Sequence, residues 1–160
     1  MDTSSFFHYP GKTVEPPREA PALLANASAD DWRILLSFTQ QRRFTAGDLV
    51  IQQGDHDDAL LLITDGQLEV LLVGKEGKQR RLTMLGAGSV VGEQSFFDQA
   101  ARSTDIRAIT DGSYCRLSRD DYVIFSARHP RLARELLVDL GRIVSQRLRE
   151  TTRFLALAGK

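Results

Sequence analysis

At 160 residues, 42% of them hydrophobic, the chain is long enough for one domain around a single core and too short for two. Its 21 basic and 21 acidic residues cancel. That removes the global field that would draw in nucleic acid, although a local pocket can still be strongly positive. A lone Cys115 cannot form an internal disulfide, Met1 to Lys12 lacks the basic start and apolar run of a signal peptide, and no apolar stretch approaches the ~20 residues that span a bilayer. A cytoplasmic chain with no membrane role of its own is therefore expected.

Residues 1–27 hold four of the five prolines and show no steady period, which predicts a loosely ordered arm or a segment docked on the body. Phe6, Phe7 and Tyr9 stand out in it as a packing element or a docking tag. Ser28-Ala29-Asp30-Asp31 opens a short helix by capping-box chemistry, with Trp32, Leu35 and Leu36 on one face. Residues 28–160 read as the domain proper.

From Arg43 to Leu117 short β-rich runs (Leu49 to Gln52, Ala59 to Ile63, Leu68 to Val73, Arg80 to Leu85, Thr104 to Ile109, Ser113 to Leu117) are punctuated by glycines. Gly74-Lys75-Glu76-Gly77 reads as a hairpin. Such an array closes well as a double-sheet jelly roll, giving a mainly β fold with flanking helices. Ser118 to Ala127 predicts a short helix stopped before His129-Pro130. A long C-terminal helix follows over about 130–158, apolar on two sides and thus expected to touch both the jelly roll and a second copy, with Leu140 and Val144 in the seam.

The segment Gly92-Glu93-Gln94-Ser95-Phe96-Phe97-Asp98-Gln99-Ala100-Ala101-Arg102-Ser103-Thr104 concentrates anion-binding chemistry. Gly92 lets backbone approach a ligand, Glu93 offers acceptors for ribose-type hydroxyls, and Arg102 brings a planar fork of donors matched to phosphate. Ser103 adds a hydroxyl and an amide. A helical turn over Gln94 to Asp98 would aim free N–H groups at an anion.

This segment resembles the phosphate-binding cassette of cyclic-nucleotide-binding domains, the family of the catabolite activator protein and the regulatory subunits of cAMP-dependent protein kinase. In that family a Gly-Glu pair is followed, nine residues after the Glu, by an Arg and a small residue, the spacing of Glu93 to Arg102. Gln53-Gly54-Asp55, Leu62-Ile63-Thr64-Asp65-Gly66 and Leu85-Gly86-Ala87-Gly88-Ser89 follow the family's glycine rhythm, and the jelly roll is its fold. The resemblance implies that Arg102 and Ser103 take the cyclic phosphate, Glu93 the ribose 2′-hydroxyl, and cassette amides the remaining phosphate oxygen. It further implies that Arg147 pairs with Glu93, and that Thr151 and Thr152 touch the base from two subunits. Solvation of Arg147 and back-bonding of Thr151 to its own helix are the plainer alternatives. Val91 stands where an aromatic is common, Gln94 replaces an apolar residue and bears on cassette packing, and Thr104 stands where Ala usually follows.

His8, His56 and His129 form no metal-ligand pattern, Gly54 to Asp58 reads as a solvated turn, and no nucleophile–base arrangement is evident. The expectation is a regulatory module with no catalytic residues. It binds cAMP, with cGMP as the alternative, forms a homodimer through its C-terminal helix and signals to an unknown effector protein. As written it binds no nucleic acid. The rival readings are a truncated transcription regulator whose DNA-binding domain lies beyond Lys160 and a degenerate scaffold that binds no nucleotide.

Overall fold

The computed structural model describes residues 23–158; Phe6, Phe7, Tyr9 and the rest of residues 1–22 lie outside it. Helix α1 (Ala29–Ser37) starts where expected. The Ser28 hydroxyl accepts from the Asp31 amide at 3.1 Å, and the Asp31 carboxylate accepts from the Ser28 amide at 3.1 Å. Strands β1 (Gln40–Phe44), β2 (Leu49–Ile51), β3 (Leu60–Asp65), β4 (Leu68–Val73), β5 (Gln79–Leu85) and β6 (Val90–Val91) follow. Helix α2 (Glu93–Asp98) then leads to β7 (Asp105–Ala108), β8 (Gly112–Leu117), α3 (Arg119–Arg128) and α4 (Pro130–Ala158).

The strands form two antiparallel four-stranded sheets, ordered β1-β8-β3-β6 and β2-β7-β4-β5, packed as the expected jelly roll. Strand β3 shows why its sequence is an unbroken apolar run. Successive side chains alternate faces. Leu61 and Ile63 enter the core between the sheets with Phe44, Leu68, Leu85 and Ile106, whereas Leu60 and Leu62 enter a second core under the helices. That second core joins the first sheet to Leu35 of α1, Phe125 of α3, and Leu132, Leu136 and Leu140 of α4. A strand buried on both faces has no polar alternation to display.

The hairpin expected between β4 and β5 is present, with a 3-10 turn at Lys75–Gly77. Two strands escape the sequence reading. Strand β1 is an exposed edge with the sequence Gln-Gln-Arg-Arg-Phe, and β6 is two residues long. Two assignments on the helices are corrected. Leu36 lies outside the buried face of α1, at 38% exposure. Leu140, expected in an intermolecular seam, is fully buried within the chain. Helix α4 turns its first half onto the body, while Leu148 and Leu155 in its second half remain about two-thirds exposed.

At the end of the N-terminal arm, Leu24 is buried in the helix-side core. Its amide donates to Asp139 Oδ2 of α4 at 2.8 Å.

Candidate functional site

Helix α2 begins at the end of β6, where Gly92 turns the chain with φ +82°. A side chain there would be strained, and its Cβ would sit 2.4 Å from Arg102 Nη1 and 2.7 Å from the Ala59 carbonyl oxygen. Arg102 reaches this point because its backbone is pinned to the turn after β2: its amide donates to the Asp55 carbonyl and its carbonyl accepts from the Gly54 amide, both at 2.8 Å.

The Arg102 side chain is 4% exposed. Its Nη1 donates to the Gly92 carbonyl at 3.1 Å, and its Nη2 donates to the Ala59 carbonyl at 2.7 Å and to Asp57 Oδ2 at 3.0 Å. Its Nε is buried and has no partner among the described residues. A buried guanidinium with one idle donor beside a cavity is a site prepared for an acceptor, since an unmet buried donor costs about 1–3 kcal/mol. Asp57 also takes Arg116 Nη2 of β8 at 2.9 Å on its other oxygen. Burial alone would raise the Asp57 pKa. The Arg102 hydrogen bond, the Ala59 amide and the two guanidinium charges outweigh it and hold the carboxyl below its ordinary value.

Glu93, the first residue of α2, is 5% exposed and forms an ion pair with Arg147 of α4 at 2.5 Å. Arg147 also donates through Nη2 to the Val90 carbonyl at 2.8 Å. The cassette and the long helix are thus joined by a mostly buried charge pair, in which removal of either partner strands the other.

Gly92, Glu93, Gln94, Ser95, Arg102, Ser103, Thr104, Arg147 and Thr151 all line one cavity of about 170 Å³. Thr152 is not among the lining residues, and its hydroxyl donates back to the Leu148 carbonyl at 2.9 Å. Thr151 makes the same back-bond, to Arg147 at 3.0 Å, while still facing the cavity. Gln94 is exposed, so its polarity does not disturb cassette packing.

The sequence reading missed the apolar wall of Ile51, Val70, Leu82, Leu85 and Ile106, together with buried Thr83. Strand alternation carried that signal, once the inward face was known. It also missed Asp57, which the solvated-turn reading of Gly54 to Asp58 left without a role; His56 in that turn is exposed. Among the described residues no cluster of His, Cys, Asp or Glu could hold a metal ion, and no helix is long and apolar enough to cross a membrane.

A jelly roll in which the helix after Gly92 is tied by an ion pair to a long C-terminal helix is the architecture of a cyclic nucleotide-binding regulatory domain. The chain belongs to the cyclic nucleotide-binding domain family, whose model matches residues 41–129. It is 32% identical over 117 residues to the cyclic AMP receptor protein of Thermus thermophilus, an alignment covering 73% of this chain and 52% of that protein. The fold is similar to the crystal structure of the Thermus thermophilus catabolite activator protein, with a TM-score of 0.78, 29% identity, and coverage of 86% of this chain and 63% of that one. It is also similar to a cyclic nucleotide-binding domain from Methylobacillus flagellatus KT, with a TM-score of 0.76, 29% identity, and coverage of 84% and 76%. The chain spans about half the length of these curated relatives.

Proposed function

We propose that this domain binds a cyclic mononucleotide, cAMP with cGMP as the alternative, and reports its occupancy through α4. The Glu93–Arg147 pair carries the reading, because it makes the ligand cradle and the output helix one electrostatic unit. In this reading Arg102 and Ser103 take the cyclic phosphate, Glu93 the ribose 2′-hydroxyl, and amides at the start of α2 the remaining phosphate oxygen. Thr151 meets the base, and Thr152 meets it from a second copy. The relatives whose names speak of cAMP favour that ligand over cGMP. The idle Arg102 Nε beside the cavity argues against a degenerate scaffold.

Transmission would be a population shift: the ligand favours whichever pose of α4 gives it better contacts. Residues 28–160 form the sensing domain and residues 1–27 its arm, with the end of the arm at Leu24 held on the body. The dimer seam is assigned to Leu148, Thr152 and Leu155, exposed residues at steps of four and three. A two-fold pair would bury that stripe against its copy. The output passes to an effector that reads α4, and the module itself performs no catalysis.

Calorimetric titration of nucleotide-stripped protein with cAMP, cGMP and cyclic dinucleotides tests the reading. One saturating site per chain for a cyclic mononucleotide is expected. Folded protein giving no heat with either mononucleotide at millimolar concentration would sink it.

A further inference from the structure

Outside the ligand cavity, α4 carries a second feature that the sensing function leaves unused. Arg142, Arg149 and Arg153, at steps of seven and four, share one open face of the helix with Val138, Gly141, Ser145, Gln146 and Glu150. Arg142 is held by Asp139 at 2.9 Å, whereas Arg149 and Arg153 make no ion pair among the described residues. A second copy does not answer these charges. In a parallel pair of α4 helices, the positions facing Arg142 and Arg149 are Leu137 and Val144, which have no carboxylate.

We propose that the occupant of this helix face is the chain's own N-terminal segment, residues 1–22. The point where that segment joins the body carries the argument. Leu24 is buried, and its amide is held by Asp139, the residue whose other oxygen takes Arg142. The chain therefore leaves the body beside the first guanidinium of the stripe. From Asp139 to Ala158 the helix runs for about 29 Å, at ~1.5 Å per residue. Phe6, Phe7 and Tyr9 stand at least 14 residues before Leu23, a reach of about 46 Å at ~3.3 Å per residue, so they can lie anywhere along it.

The chemistry matches on both sides. Glu19 and Glu15, four residues apart and nearest to the body, supply carboxylates for Arg142 and Arg149. The three aromatic rings supply faces for the Arg149 and Arg153 guanidiniums, whose planes stack on aromatic faces more often than lysine does. Asp139, Glu135 and Glu150, interleaved with the arginines, disfavour a nucleic-acid backbone on the same face. Docked this way, the segment braces the face of α4 that points away from the barrel.

A photo-crosslinking amino acid at position 7 of the full chain, without nucleotide, tests the docking independently of any ligand. Crosslinks are expected on residues 142–157 of the same chain, falling about tenfold in the R149E/R153E variant as the cation–π contacts are lost. Both positions are exposed, so the variant should melt like wild type. In a second arm, F6S/F7S/Y9S should speed amide exchange over residues 145–155 by about tenfold in the monomeric state. Crosslinks that map elsewhere, that join heavy to light subunits in an isotope-mixed sample, or that ignore the charge reversal would overturn the proposal. Unchanged exchange in the triple-serine variant would also overturn it.

Discussion

Asp57 Oδ2 lies 3.0 Å from Arg102 Nη2, and its Oδ1 lies 2.9 Å from Arg116 Nη2, so one half-exposed carboxylate holds a buried guanidinium and a strand guanidinium together. Arg102 is thereby compensated in the absence of any ligand, and its fork is fixed with Nε idle. A donor fixed in advance loses less entropy when an acceptor arrives.

Asp57→Asn should retain the fold and weaken cyclic-nucleotide binding by about tenfold, since it loosens Arg102 without removing a ligand contact. Because the carboxylate is partly exposed and screened, the stability loss should be about 1 kcal/mol. Arg102→Ala should cost binding on the order of 2 kcal/mol or more. Calorimetry on the two variants checks the order of effects; equal losses would put Asp57 in the ligand contact itself.

The same carboxylate sets a pH dependence. Its folded pKa is depressed, so its contribution to stability is fully present above the unfolded value of about 3.9 and is lost as pH falls through the lower folded value. Thermal melts of wild type and Asp57→Asn should keep a constant gap from about pH 7 to 5 and narrow steadily as pH falls below the unfolded value. A gap that widens on acidification would reverse the assigned sign.

Arg147→Ala leaves Glu93 buried without its counter-charge and should destabilise the domain by about 3 kcal/mol. Glu93→Ala combined with Arg147→Ala should lose less than the sum of the single variants. With Glu93→Ala alone, the natural ligand should lose more affinity than its 2′-deoxy analogue. Denaturant titrations and competition binding read both outcomes.

Gly92→Ala should cost about 2–3 kcal/mol and abolish binding, since the turn demands positive φ and its Cβ position is already claimed by Arg102 and the Ala59 carbonyl. A melt together with a titration distinguishes this from a harmless surface change.

Leu148→Glu with Leu155→Glu should yield a folded monomer, because both side chains stand clear of the body. Leu140→Glu should instead fail to fold, as it places a charge in the helix-side core. Light scattering of wild type gives the reference. A monomer at micromolar concentration, with and without ligand, would remove the seam and the role of Thr152 across it.

The sequence alone determined what local chemistry can write. The capping box at Ser28, the turn glycines, the hairpin at Gly74 to Gly77 and the Glu93-to-Arg102 spacing each depend on residues close in the chain, and each stands where its side-chain chemistry requires. Only the tertiary structure decided which neighbours distant residues would have. It set Asp57 against Arg102, 45 positions away, and turned Leu140 inward while leaving Leu148 out. Periodicity gives the angle of a side chain around its helix or strand but not the surface that meets it. Helix α4 buries Leu132, Leu136 and Leu140 in the helix-side core, whereas farther along Arg147, Thr151 and Phe154 face the barrel and Leu148 and Leu155 stay exposed, so one apolar stripe has two fates.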